Sequence, residues 1–426
     1  MLTTTSPQIT QTLPAQSDRF HALDAVRAFA LIIGVFFHGT MSFVSYIGYY
    51  WAIRDSQPSR FLDGFFYMAH SFRMQAFFLI AGYFAHLLYH RRGATSFLIH
   101  RTRRILVPLL LFVPIMYVLL GVLWTWGYQR AGLIPKESPV ASMSPWLVMY
   151  RDVISLKWIR ADLPIAHLWF LYYLMLFCVA AFVVRPLVNS VDKSGQLRLV
   201  LDRLLAAATQ KWWGGLVLGV LLIGPTLTVT SWVGVDTPDH GFTPLLAPFS
   251  VYGLYFTVGW LFQRQPALIV ALKRHWKLNL LFSLVVAGGL TAFLLTTIYA
   301  HNAPPTAPAI DPAVVNTFLP VINALSAVAT MTAVFAFIGL ILRYFSHPSK
   351  RIRYLSDSAY WLYIAHLPVV VLFQILVAPL QIHWLLKLPL IFVPSFALLF
   401  LTYHYGVRNT WLGTLLNGRR YPINQS

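Results

Sequence analysis

An arginine and a histidine lie eleven residues apart on one predicted helix. Arg27 precedes an apolar run that ends at Phe37, and His38 follows directly. Eleven residues turn an α-helix through about 1100°, so both side chains project from one face, separated by about 16 Å along the axis. If this helix crosses a bilayer with Arg27 at its mouth, His38 lies near the membrane centre. An ionisable imidazole at that depth is a candidate functional site.

Two more polar side chains interrupt the next apolar run. His70 and Arg73 are three residues apart, so they share a face near the outer end of the second predicted helix. This face either orients an anionic or hydroxyl-bearing substrate, or Arg73 reaches to the membrane interface with His70 as its neighbour. Gln75 adds a further polar group deeper in the same helix, which favours the first interpretation.

The ninth predicted helix carries a second buried histidine. Tyr363 stands one turn before His366, on the same side of this helix. His366 either binds or orients reacting groups, or it forms a structural hydrogen bond to a neighbouring helix. Pro368 lacks an N–H group, so it is expected to bend the helix and to free a backbone carbonyl, which requires a polar partner.

The densest cationic patch lies between the second and third predicted helices, over residues 90–104. Arg101 and Arg104 stand at its end, at the foot of the third helix. Arginines suit phosphate groups because the guanidinium can donate two parallel hydrogen bonds. The alternative is that they serve only membrane topology and anionic lipid headgroups.

Composition identifies the class of protein that must position these groups. The chain has 426 residues, of which 58% are hydrophobic and 11% charged, whereas soluble domains carry about 25% charged residues. We therefore predict an all-α, polytopic membrane protein. Its net charge of +19 is better explained by basic loops on one side of a bilayer than by nucleic acid. The expected partner surface is lipid, with no nucleic acid, and the oligomeric state stays open.

Ten apolar runs are long enough to span a bilayer, at about 20 residues each. The fifth and sixth are the weakest, since Gly, Pro and Thr interrupt them. The runs cover residues 25–47, 66–89, 104–124, 166–185, 212–232, 248–263, 278–299, 319–342, 359–377 and 386–407.

Basic residues give the orientation of these spans. With the N-terminus inside, 22 Lys and Arg residues fall in cytoplasmic segments and seven on the opposite side. This asymmetry follows the positive-inside rule. Both termini are therefore predicted to be cytoplasmic.

Acidic residues and cysteine exclude several alternatives. The twelve Asp and one Glu all fall in predicted loops or at the edges of apolar runs. Proton-coupled transporters and pumps usually carry carboxylates within the membrane, so this pattern disfavours that class. A base inside the bilayer must then be histidine. The single cysteine, Cys178, gives no intrachain disulfide and no thiol metal site, and we predict no metal centre.

One membrane domain accounts for most of the chain. Residues 1–20 are polar and are predicted to form a disordered cytoplasmic tail, residues 21–410 the transmembrane domain, and residues 411–426 a cytoplasmic C-terminal tail. The largest predicted outer loop, over residues 125–165, is rich in Pro, Trp and Ser and is placed to cover a site from that side.

The motifs together resemble one protein family. Arg27 followed by ten residues and His38, the Arg101–Arg104 segment, and the Ser358–His366 segment resemble the acyltransferase-3 family of integral membrane O-acyltransferases. Two further blocks, His70–Phe84 and Ala166–Leu171, resemble the glucan biosynthesis branch of that family, which is associated with succinylation of periplasmic glucans.

The resemblance implies a reaction and its partners. Such an enzyme takes an acyl group from acyl-CoA on the cytoplasmic side of a bacterial inner membrane and delivers it to a carbohydrate hydroxyl outside. Succinyl-CoA or acetyl-CoA is the expected co-substrate, a periplasmic glucan the expected acceptor, and no cofactor is bound permanently. The alternatives are O-acetylation of another cell-surface polysaccharide, or a carrier or flippase without chemistry.

The resemblance also implies roles for individual residues. His38 is expected to act as general base toward the acceptor hydroxyl or as transient acyl acceptor, with His366 as a second catalytic residue. The predicted substrate and oxyanion group is Arg73 with His70 and Tyr363, and Arg73 is the cation placed to bind a succinyl carboxylate. The residues expected to contact the phosphates of the donor are Arg27, Arg101 and Arg104.

Overall fold

The computed structural model describes residues 16–46, 50–156, 162–231, 234–301 and 312–418. Within these ranges the chain is helical without β-strands, and an isolated bridge joins Pro164 and His240. This confirms the all-α prediction for the described part of the chain. Its α-helices are α1 Gln16–Thr40, α2 Arg60–Arg92, α3 Ala94–Arg101, α4 Val107–Arg130, α5 Pro145–Ile154, α6 Trp169–Val191, α7 Gln196–Thr209, α8 Gly214–Leu221, α9 Ile223–Thr226, α10 Leu246–Arg264, α11 Ala267–His301, α12 Pro312–Tyr344, α13 Lys350–Val377, α14 Trp384–Leu401 and α15 Trp411–Asn417.

Two of these helices are extended by π-helical turns. The turn Thr102–Leu106 joins α3 to α4, and the turn Thr402–Val407 follows α14. A π-helical turn widens the helix and leaves backbone groups available to other partners, and such turns are frequent at functional sites. The first of them contains Arg104.

Seven helices in the described ranges are long and apolar enough to cross a membrane. The protein is therefore a multi-pass membrane protein, but the predicted count of ten is not confirmed. The predicted run 212–232 is divided between α8 and α9, and an eight-residue helix is only about 12 Å long. The helices α2, with 33 residues, and α10, with 19 residues, are long enough to span but less apolar than the seven.

Helices lie within both predicted tails. Helix α1 begins at Gln16, inside the predicted N-terminal tail, and residues 1–15 lie outside the described residues. Helix α15 occupies the first part of the predicted C-terminal tail, and its Leu416 is fully buried. The predicted outer loop 125–165 contains helix α5.

Helices α2 and α10 cross at two glycines. A Cβ atom at Gly82 would lie 1.9 Å from the carbonyl oxygen of Phe256, and one at Gly259 would lie 1.8 Å from that of Leu79. Small residues let the backbones of two membrane helices approach this closely. The crossing therefore fixes the position of α2 in the bundle.

Helix α1 is surrounded by α2, α12, α13 and α14. One large cluster of buried apolar side chains joins α1 to α2, α4, α6, α10, α12 and α13. Because α1 runs through this core, the side chains at its two ends contact different parts of the bundle.

Candidate active site

Three histidines from three elements meet at the C-terminal end of α1. The ring centroids of His38 on α1 and His366 on α13 are 5.1 Å apart, and those of His366 and His167 are also 5.1 Å apart. His366 and His167 are 3% and 7% exposed. We call these three side chains the histidine cluster. The sequence predicted the first two, whereas His167 was noted only as part of the Ala166–Leu171 block.

Backbone hydrogen bonds orient His366. Its Nδ1 lies 2.7 Å from the carbonyl oxygen of Tyr363 and 3.1 Å from that of Leu362. Carbonyl oxygens only accept hydrogen bonds, so this network assigns the proton to Nδ1. In the neutral ring, Nε2 then carries the lone pair.

Pro368 determines the position of His167. The proline has no N–H group to bond the carbonyl of Ile364 one turn before it, and Nε2 of His167 donates to that carbonyl at 2.9 Å. This confirms the expectation that Pro368 frees a carbonyl that finds a polar partner. The lone pair of neutral His167 is thereby assigned to Nδ1, which is buried without a hydrogen-bond partner.

The backbone before His167 is strained. Ala166 has a φ of 46°, in the left-handed region, which costs a non-glycine residue about 1–2 kcal/mol. The N–H groups of Ile165 and Ala166 both donate to the carbonyl of Asp239, at 2.8 and 3.0 Å. The 234–241 segment therefore holds the turn that directs His167 into the cluster.

Trp51 and Gln374 hold His38 in place. The Trp51 ring stacks on the imidazole with a centroid distance of 5.8 Å and an interplanar angle of 9°. Its Nε1 donates to Oε1 of Gln374 at 2.8 Å, and Nε2 of Gln374 donates to the carbonyls of His38 and Gly39 at 2.9 and 3.0 Å. These carbonyls belong to the last turn of α1, which has no intrahelical partners for them. Gln374 was not predicted from the sequence, although it is a polar residue within the apolar run 367–377 and could have been recognised by that contrast.

A buried ion pair anchors the segment that contains Trp51. Nζ of Lys387 lies 2.8 Å from both carboxylate oxygens of Asp55, and Lys387 is completely buried. The pairing of Asp55 with Lys387 was not predicted from the sequence. The ion pair ties the segment after α1 to α14.

Arg73 and His70 reach the cluster through Phe37. The guanidinium of Arg73 lies 4.1 Å from the centroid of the Phe37 ring, and its Nη1 donates to the carbonyl of Gly34 at 3.4 Å. The rings of His70 and His38 lie 5.8 and 5.1 Å from the same phenyl ring. Arg73 is 7% exposed, so its side chain lies inside the helix bundle.

Tyr363 supports the cluster from behind. Its hydroxyl donates to the backbone carbonyl of His167 at 2.5 Å. It therefore links α13 to the turn that carries His167.

The predicted phosphate-binding arginines lie together about three helical turns before His38, beside the middle of α1. The Tyr360 hydroxyl donates to the carbonyl of Arg104 at 2.6 Å and lies within electrostatic range of the Arg27, Arg101 and Arg104 guanidinium groups. Arg27 pairs with Asp24 at 3.5 Å and stays 42% exposed. Nη2 of Arg104 donates to the carbonyl of Leu416 in α15. We call the three arginines the arginine group.

Comparison with known proteins decides the class of chemistry. A family model of an acyltransferase domain, acyltransferase-3, matches residues 20–404. The chain belongs to the acyltransferase-3 family. It is an O-acyltransferase, so the alternative of a carrier without chemistry is set aside.

The relatives are similar along their whole length. Glucans biosynthesis protein C of Escherichia coli O139:H28 (strain E24377A / ETEC) is 24% identical over 402 residues, which covers 93% of each chain. The proteins of the same name from E. coli O157:H7 and O9:H4 (strain HS) match with the same identity and coverage. No solved structure gives a significant match.

Among the described residues, no group of three or more His, Cys, Asp or Glu side chains is arranged to hold a metal ion. The buried Nδ1 of neutral His167 has no hydrogen-bond partner, so this ring can accept a hydrogen bond or a proton.

Proposed function

We propose that this enzyme transfers an acyl group from acyl-CoA to a hydroxyl group of a periplasmic glucan, and that this acyl group is succinyl. It would act in a bacterial inner membrane with both termini in the cytoplasm. The observation that carries this proposal is the position of the histidine cluster and the arginine group about three helical turns apart along α1, in a member of an acyltransferase family. The name of the E. coli relatives supports a glucan as acceptor, and the distribution of Lys and Arg supports a cytoplasmic arginine group.

The donor binds with its phosphates at the arginine group. Arg27 is exposed, and the Nε atom of Arg101 is buried without a hydrogen-bond partner, so both are suited to an incoming phosphate. Arg104 is the third residue of this group, and its Nη2 also donates to the Leu416 carbonyl. The pantetheine arm then follows α1 over about 16 Å to His38.

His38 acts as the general base at the end of this path. It takes the proton of the acceptor hydroxyl as the oxygen attacks the thioester carbonyl, and the new C–O bond forms as the C–S bond breaks. The proton then passes to the departing thiolate of coenzyme A. The face of Trp51 stabilises the imidazolium in between, at a distance typical of cation–π contacts. The alternative role of His38 is transient acyl acceptor.

His366 and Arg73 differ in what they offer the reaction. With its proton on Nδ1, neutral His366 presents a lone pair at Nε2, so it accepts a proton or hydrogen bond rather than stabilising an oxyanion. Arg73 only donates, and its Nε is buried without a partner. Arg73 is therefore the group for the carboxylate of a succinyl donor, with His70 beside it on the substrate side. Tyr363 acts indirectly, because its hydroxyl holds the turn that carries His167.

A substitution and a mass measurement test the proposal. The His38→Ala variant is expected to lose acyl transfer by about 10²-fold or more while still binding acyl-CoA. Mass spectrometry of periplasmic glucans from cells with and without the protein identifies the added group, because succinyl and acetyl substituents differ in mass. Unchanged glucans in both cells would overturn the glucan acceptor, and an acetyl increment would replace succinyl.

A further inference from the structure

A cavity lies between α2, α10, α11 and α12, and the segment Gly234–Val235 also lines it. None of the described residues that line it is charged, and many carry hydroxyl or amide groups. Its polar residues include Tyr67, Ser71, Gln75, Tyr255, Asn323 and Ser326. We call this space the hydroxyl-lined cavity.

Two polar atoms of the lining have no hydrogen-bond partner. Oε1 of Gln75 and the hydroxyl oxygen of Tyr255 are buried and unpaired, in residues that are 3% and 1% exposed. Buried polar atoms in proteins nearly always have a partner. By contrast, Ser71 and Asn323 already bond the carbonyls of Met68 and Val229. Gln75 and Tyr255 are thus the groups left for a ligand.

The cavity lies on the His70 side of the histidine cluster. Val235 lines the cavity, and its carbonyl lies 3.2 Å from Nε2 of His70. His70 in turn stacks on Phe37, which contacts the edge of His38. Two side chains therefore separate the cavity from the proposed base.

From this position and this lining we infer that the hydroxyl-lined cavity binds a sugar unit of the acceptor, an uncharged polyhydroxylated ligand. Hydroxyl and amide groups match sugar hydroxyls, and the Tyr67 ring and the small Ala287 and Ala327 leave room for the apolar faces of a sugar ring. Two other ligands fit this lining less well. The phosphates of the donor would find no cationic side chain here, and an acyl chain would leave the polar atoms of Gln75 and Tyr255 without hydrogen bonds. The inference rests on the proposed function, since it names a subsite for the glucan acceptor of that reaction, separate from the position of the reacting hydroxyl at His38.

The test uses the full-length protein in lipid nanodiscs and two variants. Tyr255→Phe removes only the hydroxyl, and Gln75→Leu removes the amide. The control is Tyr403→Phe, which removes the hydroxyl of an equally buried tyrosine in the π-helical turn after α14, outside the cavity. Binding of a linear glucan oligosaccharide is measured by calorimetry, and KM is measured separately for glucan and for acyl-CoA.

Each cavity variant is expected to weaken oligosaccharide binding and to raise the KM for glucan by about fivefold, the loss of one hydrogen bond. The KM for acyl-CoA should stay the same in both cavity variants. The Tyr403→Phe control should match the wild type in oligosaccharide binding and in both KM values. Unchanged glucan binding in both variants would overturn the inference, and a raised KM for acyl-CoA alone would assign the cavity to the donor.

Binding and catalysis separate this inference from the proposed function. If the wild type binds the oligosaccharide through Tyr255 but transfers no acyl group, the cavity assignment stands and the proposed reaction fails. If it transfers acyl groups while Tyr255→Phe and Gln75→Leu bind and react like the wild type, the reaction stands and the cavity assignment fails. A wild type that neither binds nor reacts with glucan overturns both.

Discussion

The side-chain amide of Gln374 on α13 donates to the backbone carbonyl of His38 at 2.9 Å. The same side chain accepts from Trp51, whose ring stacks on the His38 imidazole. One residue therefore holds both the last turn of α1 and the aromatic face that supports the proposed base. Neither contact involves the reacting atoms, so Gln374 is a positioning residue.

Gln374→Met should lower kcat by about tenfold, because a side chain of similar volume loses the contacts that position His38 and Trp51. The KM for acyl-CoA should stay unchanged, since the arginine group lies about three helical turns away along α1. Steady-state kinetics with purified protein check both values. The control is Gln381→Met, which alters an exposed glutamine bonded only to the Pro379 carbonyl. Equal effects on kcat in the two variants would contradict a positioning role.

Pro368→Ala should make the protein more stable and less active. The new N–H group can bond the Ile364 carbonyl, which removes the cost of about 3 kcal/mol of a proline inside a helix. It thereby competes with Nε2 of His167 for the same oxygen. We expect a higher melting temperature and a lower kcat, measured on the same preparation. Pro320→Ala in α12 is the matched control, and it should raise stability without lowering kcat. A Pro368→Ala variant with full activity would argue that the position of His167 has no role in the reaction.

Arg73→Ala should reduce succinyl transfer about tenfold more than acetyl transfer, because only the succinyl group presents a carboxylate to the guanidinium. Competition between succinyl-CoA and acetyl-CoA, read by mass spectrometry of the glucan, measures the ratio directly. A folded and inserted variant that loses both activities equally would instead assign Arg73 to the oxyanion of the reaction. Arg60→Ala, at the start of α2, is a control for loss of a cation from the same helix.

Gly82→Ala should destabilise the fold, because its Cβ atom would meet the Phe256 carbonyl oxygen at 1.9 Å and force α2 away from α10. A fall of several degrees in melting temperature, with loss of activity, is expected. Gly288→Ala is the control, since no atom lies within 4 Å of the position of its Cβ. That substitution should be neutral or stabilising by up to about 1 kcal/mol, from helix propensity alone. Equal melting temperatures of the two variants would mean that the α2–α10 crossing adapts without cost.

Composition and helical periodicity alone determined that this protein is an all-α membrane protein. They also placed Arg27 and His38 about three turns apart on one face of a helix. These properties are local, because an apolar run and a 3.6-residue period specify a helix and the spacing along it. His366 and Arg73 were found for the same reason, as polar side chains inside apolar runs.

Only the tertiary structure decided which of these groups meet. His167 lies in a short 3₁₀ turn before α6. It joins the cluster because the Asp239 carbonyl holds the strained backbone before it and the Ile364 carbonyl accepts a hydrogen bond from its ring. Gln374 and the Asp55–Lys387 pair likewise act over more than 300 residues of sequence separation. Such contacts depend on how helices pack against one another, and no period or spacing within a single helix encodes them.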